Sequence, residues 1–251
     1  VLVSVIKATC IWLGIVTLFG IEFAFPKLTL VAEFLVMAAV LIWRPWGLFG
    51  RPQTASAHTT PEAPLLPPGR WQRLLSLVLI LLLVALPVVD QAFPYALVLS
   101  IDILIAVLFA ASLHFIMGPG GLHSFGHAAY FGLGAYGAAL LVTGLAVPMP
   151  LALVLAPLAA TAGALLFGWF SVRLSGVYLA MLTLAFAQIV WAIAFQWDAV
   201  TGGSNGITGL WPSPWLASDR AYFWLALACL VMGMWVLRRG LFSAFGYALR
   251  A

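Results

Sequence analysis

The apolar runs of this chain are continuous and long, and they fix its solvent. They fall at residues 4–23, 28–43, 71–89, 93–117, 125–147, 150–170, 174–196 and 222–237. A helix needs about 20 apolar residues to cross a hydrocarbon core of about 30 Å. The second run is short, and the fifth is rich in glycine, which leaves a kinked or partly re-entrant course open beside a full crossing. Of 251 residues, 65% are hydrophobic and 7% charged, and mean hydropathy is +1.14. A soluble domain carries about 25% charged residues, so this much apolar side chain requires lipid. Membrane barrel strands alternate apolar and polar over about 10 residues, and that alternation is missing. The expected fold is an all-α polytopic membrane protein with about eight transmembrane helices.

Charge orients the spans. Cytoplasmic flanks are enriched in Lys and Arg. Threading eight spans from a cytoplasmic start puts Lys7, Arg44, Arg51, Arg70, Arg73, Arg173, Arg238, Arg239 and Arg250 inside, and Lys27 and Arg220 outside. Removing the 125–147 crossing would destroy this bias. The net charge of +4 and pI near 9.4 do not indicate nucleic acid, because the basic residues sit at span ends and form no patch. Tryptophans at 43, 46, 71, 197, 211, 215 and 235 lie near the expected interfaces, where amphipathic rings anchor. Cys10 and Cys229 fall inside apolar runs without metal-ligand spacing. Lys7 before an apolar run has the outline of a signal peptide, but a second span follows at once with no A-x-A site between them. Residues 51–70, RPQTASAHTTPEAPLLPPGR, are dominated by Pro, Ser and Thr and cannot bury a core. They read as a cytoplasmic linker, with His58 and Glu62 solvated.

Small and polar residues at membrane depth supply the candidate sites. In 150–170, Ala152, Ala156, Ala160, Ala164 and Gly168 recur every four positions, giving one helix face on which another helix can pack closely. In the next span Ala180, Ala187 and Ala194 fall at heptad spacing with Thr183 nearby. Asp102 lies about nine residues, roughly 13 Å, into its span. An ionisable group there either faces a pathway or pairs with a neighbouring helix as a structural acid. Gln188 is cheaper to bury and reads first as an interhelical hydrogen-bond partner, with a place on a pathway as the alternative. His123 and His127 are spaced i, i+4, but no carboxylate or cysteine lies near them in sequence, so no metal site is expected. Thr201, Gly202, Gly203, Asn205 and Gly206 carry Gly-Gly and Asn-Gly turn signals on the expected outer face.

The stretch 112–141, SLHFIMGPGGLHSFGHAAYFGLGAYGAALL, has glycine at 118, 120, 121, 126, 132, 134 and 137. Each costs a helix about 1 kcal/mol relative to alanine, so the density implies close backbone approach or a broken segment. This stretch closely resembles a signature of the M-type permease subunit of bacterial branched-chain amino acid ABC transporters. The resemblance extends over RLSGVYLAMLTLAFAQIV (173–190), TGGSNGITG (201–209) and FSAFGYALRA (242–251). Residues 25–51, with Arg44, Pro45, Gly47, Leu48, Phe49 and Gly50, resemble the closing helix and "RPxGLFG" end of the H-type subunit of the same transporters.

The resemblance implies three parts: residues 1–50 as the end of an H-type unit, 51–70 as linker, and 71–251 as the front of an M-type unit. It implies an internal fragment of a fused permease, since Val1 is not a start residue and the chain stops before the ATPase-docking loop is complete. It further implies two cytoplasmic ABC ATPase subunits, a periplasmic amino-acid-binding protein and the rest of the H-type half as partners. The setting is the lipid bilayer of the inner membrane. Phe245, Gly246, Leu249 and Arg250 would begin the ATPase-docking segment. The 201–206 loop would form part of the entrance or docking surface for the binding protein. Asp102, His114, Ser124, His127, Tyr130, Thr183 and Gln188 are the candidates for the translocation path. The family usually has asparagine at the position of His114 and a less rigid residue at Pro119, so specificity is expected to differ if those positions shape the pore.

No G-x-x-x-x-G-K-[ST], G-x-S-x-G or H-E-x-x-H occurs. The expectation is a transport subunit, without enzymatic activity or cofactor, for branched-chain amino acids, with urea or short amides as the close alternative. An ion-coupled carrier built on Asp102 and a metal-dependent intramembrane enzyme are the competing classes.

Overall fold

The computed structural model of the chain describes residues 2–18, 21–44, 69–88, 94–171, 174–210 and 212–250. Among these, five helices are long and apolar enough to cross a membrane: within α4 (Pro94–Met117), and α5 (His127–Leu145), α6 (Met149–Ser171), α7 (Gly176–Gln196) and α9 (Asp219–Leu241). The others are α1 (Leu2–Leu13), α2 (Phe25–Trp43), α3 (Arg70–Ala85), the short α8 (Asp198–Thr201) and α10 (Ala244–Arg250). The chain is an all-α polytopic membrane protein, with one small hairpin among the described residues. The expected linker at 51–70 lies outside the described residues except for Gly69 and Arg70.

The hairpin corrects one expectation. The run 4–23 is not one helix. Gly14 takes a left-handed φ of 60° after α1, and Ile15–Leu18 (β1) then pairs antiparallel with Ile21–Ala24 (β2), Val16 opposite Phe23 and Thr17 opposite Glu22. Ile, Val and Thr are stiff at χ1 and suit a pleated strand. At 12 residues, α1 is about 18 Å long, short of the hydrocarbon core. The fifth run, by contrast, is one uninterrupted helix of 19 residues.

The described residues form two compact units. The first comprises Val1–Arg51, Leu113–Ser213 and Leu241–Ala251. Its core joins Ala38 and Leu41 of α2 to Leu179, Leu182, Ala185 and Phe186 of α7, with Leu174 beside them. α1 lies along α2, where Lys7 Nζ donates to Glu33 Oε2 at 2.6 Å. α5 and α6 are joined by three residues and pack tightly. A Cβ at Gly134 would sit 3.7 Å from Ala160 Cβ, and one at Gly137 only 2.6 Å from Ala159 Cβ. Gly163 of α6 in turn receives the Leu133 side chain.

The packing face of α6 therefore differs in register from the stripe of every fourth residue. Ala152 and Ala156 are buried, and Ala159, Ala160 and Gly163 touch or face α5, but Ala164 is exposed and a Cβ at Gly168 would meet nothing within 4 Å. At 3.6 residues per turn a strict step of four drifts about 40° each time, so after three steps the stripe has left the contact.

The second unit comprises Pro52–Ser112 and Pro214–Gly240. Leu97, Ile101 and Leu104 share one face of α4 and enclose Phe223 of α9, with Leu83, Leu86, Ala226, Leu227 and Leu230 packed around them. Gly233 lies against the Leu108 side chain. Elsewhere the surface is apolar: Leu75 is 69% and Leu81 64% exposed on α3, as a lipid-facing helix requires.

Candidate functional site

The site is built in the first unit around α7. Its Leu179, Ala180, Leu182, Thr183, Ala185 and Phe186 are buried, because α2 covers one side and α5 and α6 approach the other. Phe186 stacks on Phe167 with centroids 4.6 Å apart, and Tyr130 of α5 lies 6.3 Å from Phe167. This aromatic contact ties three helices together at one level.

The 118–126 segment is pinned to α7 at Thr183. Gly121 takes φ 59° and turns the chain out of α4, while Leu122 N–H donates to Ile116 O at 3.1 Å. Phe125 N–H then donates to Thr183 Oγ1 at 3.1 Å, and that hydroxyl donates to Ala180 O at 2.9 Å. Gly126 lies against the Thr183 backbone, where a Cβ would come within 2.5 Å of the carbonyl oxygen. Glycine is required there by close approach. Ser124 is buried beside this contact.

The 197–206 loop is folded around a buried Thr201. Its Oγ1 donates to Ala194 O at 2.5 Å or Trp197 O at 2.8 Å, and accepts from Gly203 N–H at 3.4 Å. Gly202 and Gly206 have φ of 74° and 67°, and a Cβ at Gly202 would overlap Gly206 O. A mainly apolar cavity of about 820 Å³ lies between α5, α6, α7 and this loop. Gly132, Leu133, Tyr136 and Leu140 line it from α5, Gln188, Trp191 and Phe195 from α7, and Thr201, Gly203, Ser204, Asn205 and Gly206 from the loop. Trp191 stacks on Phe195 with centroids 5.1 Å apart. Among the described residues no charged side chain lines the cavity.

The path candidates do not all converge. Gln188 lines the cavity, and Thr183, Ser124, His127 and Tyr130 surround the pinned end of α5. His127 and Tyr130 are half-buried. His114 is exposed near the end of α4, beside Gly118. Asp102 is exposed on α4 in the second unit, off the Leu97–Ile101–Leu104 face, and is not among the cavity residues. Neither Asp102 nor Gln188 has a hydrogen-bond or ion-pair partner among the described residues, so the interhelical bond expected for Gln188 is not formed there. Among the described residues no three His, Cys, Asp or Glu side chains gather as metal ligands. Tyr136, Trp191 and Phe195 of the aromatic wall do not stand out in sequence, and Gly132 does so only as one of the glycine run; Trp191 and Phe195 follow Gln188 at i+3 and i+7, one face of a helix.

At the end of the first unit, Ser243 caps α10 through its Oγ accepting Gly246 N–H at 3.3 Å. Gly246 is buried and Phe245 is 65% exposed. Leu249 packs on the turn after α4, where a Cβ at Gly120 would lie 3.3 Å from its Cδ2. Arg250 is the last residue of the helix.

The chain is similar to known proteins. The chain is 35% identical over 141 residues to the high-affinity branched-chain amino acid transport system permease proteins LivM of Salmonella typhimurium and of Escherichia coli. Each match covers 54% of this chain and 33% of the relative, so the chain spans about a third of the length of these relatives. No solved structure matches. Residues 95–251 match the family described as branched-chain amino acid transport system / permease component, and since they make up more than half of the chain, it belongs to that permease family.

Proposed function

We propose that this chain is part of the translocation subunit of an ATP-binding-cassette importer in the bacterial inner membrane, moving branched-chain amino acids. The observation that carries the reading is the family match over 95–251, which takes in α5, α6, α7 and the 197–206 loop, and with them the whole cavity. Membrane transporters place substrate sites between helices near mid-bilayer. A cavity of this volume lies in the range of ligand pockets, about 300–1,000 Å³. Two ATPase subunits and a periplasmic binding protein complete the machine. α10 begins the face toward the ATPases, and the 201–206 loop lies toward the binding protein. Residues 1–50 are the end of an H-type unit joined by the 51–70 linker to the M-type unit.

The orientation survives the correction to the first span. If α1 does not cross, the sides of α2 and every later helix are unchanged, and only Lys7 changes side, where Glu33 neutralises it. Reconstitution of the parent protein with its cognate ATPases and binding protein tests the function. ATP-driven uptake of radiolabelled leucine, isoleucine or valine is expected. Uptake of urea or short amides alone would reassign the ligand, and uptake of none of these would overturn the reading.

A further inference from the structure

The depth of two residues in the cavity wall suggests how a ligand is held. Gly126 touches Thr183, which fixes one level shared by α5 and α7. Both helices line the cavity from there onward, to Leu140 and to Phe195, so they run the same way from that contact. Gly132 is six residues past Gly126 and Gln188 five past Thr183. At 1.5 Å per residue these lie about 9 and 7.5 Å along, at nearly the same depth on facing helices. Around them the wall is Ala129, Leu133, Leu184 and Ala187. Gln188 is thus a lone amide in an apolar belt, without a partner among the described residues.

Gln188 is half-buried in the cavity wall, so its amide stays within reach of a molecule in the cavity. The amide offers one acceptor oxygen and two N–H donors, which suit an ammonium and a carboxylate respectively. With no charged side chain among the described residues of the wall, the occupant that fits is neutral overall. Across from it, a Cβ built on Gly132 meets nothing within 4 Å, so the missing side chain leaves space in the cavity and is not demanded by packing.

Resting on the permease reading, we infer that Gln188 hydrogen-bonds the charged end of a zwitterionic amino acid in this cavity, and that Gly132 sets how bulky a side chain the cavity admits. The test uses the complete transporter in membrane vesicles, with the cysteines of the parent chain replaced and Gly132→Cys introduced. A small thiol reagent should modify that cysteine, and leucine at ten times its Kd should slow the reaction about ten-fold. Adding Gln188→Leu should weaken leucine protection by about 10- to 100-fold, the loss of a hydrogen bond to a charged group. Gly132→Leu should lower leucine uptake relative to alanine uptake by about ten-fold or more. Leucine uptake with no protection of the cysteine would overturn the inference and leave the permease reading standing. So would protection that Gln188→Leu does not weaken, or an unchanged leucine-to-alanine ratio in Gly132→Leu. Failure of the unmodified parent to move any amino acid would instead bring down the functional reading itself.

Discussion

Gly137→Ala and Gly132→Ala, five residues apart on α5, should change stability in opposite directions. A methyl at Gly137 would lie 2.6 Å from Ala159 Cβ, against an ordinary carbon contact of about 3.5–4.0 Å. The two helices must part by about 1 Å. Overpacking of this kind costs about 1–3 kcal/mol, and the better helix propensity of alanine returns about 1 kcal/mol. The net expectation is a loss of up to about 2 kcal/mol. At Gly132 a Cβ meets nothing within 4 Å, so only the gain of about 1 kcal/mol remains. Ala159→Gly removes the opposing methyl. Alone it costs about 1 kcal/mol in propensity, but combined with Gly137→Ala it should remove the clash. Denaturant titration of the four proteins of that cycle, followed by helix content, gives the coupling energy, expected at about 1–3 kcal/mol. Additivity within about 0.5 kcal/mol would refute the close α5–α6 contact, as would Gly132→Ala destabilising as much as Gly137→Ala.

Thr183→Val keeps the shape but removes the acceptor for Phe125 N–H; a cost of about 1–3 kcal/mol is expected, with Thr183→Ser near wild type in the same titration. Gly202→Ala combines a left-handed φ with overlap on Gly206 O and should cost about 2–4 kcal/mol, whereas Gly209→Ala, with φ 82° but open space, should cost only about 1–2 kcal/mol. Lys7→Met leaves the Glu33 carboxylate without its cation and should lower the yield of folded protein in membranes; the double change Lys7→Met with Glu33→Gln should restore it. Ser56→Cys, with Cys10 and Cys229 replaced, should react with an impermeant thiol reagent only from the cytoplasmic side.

Sequence made the membrane helices legible because lipid imposes a simple demand: each span must be apolar along its whole length. α4, α5, α6, α7 and α9 accordingly fall on expected runs. The demand is silent about conformation within a short apolar run. IVTL and IEFA satisfy hydropathy as helix or strand, and the hairpin was missed for that reason. The same limit applies to faces. Small residues on α6 were visible, but which of them meet α5 depends on the axial position of Gly134 and Gly137, and that selects Ala159 and Ala160 while leaving Ala164 outside. Thr183, Ser124 and the 201–206 turn stood out as polar or glycine-rich exceptions in an apolar chain. Gln188 stood out too, yet its setting depends on Gly132 and Trp191 from elsewhere in the wall. Asp102 stood out most by charge, and its helix turns it away from the core of its own unit.

The α2–α7 core also dictates an order of events on the ribosome. Leu41 packs in a cluster with Leu182, about 140 residues later in the chain. At a synthesis rate of about 5–20 residues per second, α2 emerges on the order of ten seconds before its partner exists. During that interval the α7 side chains that cover Ala38 and Leu41 have not yet been made. The α5–α6 pair faces no such delay, since Gly137 and Ala159 are made within a few seconds of each other. The α5–α6 hairpin is therefore complete early, while α2 joins its core only once α7 has been made.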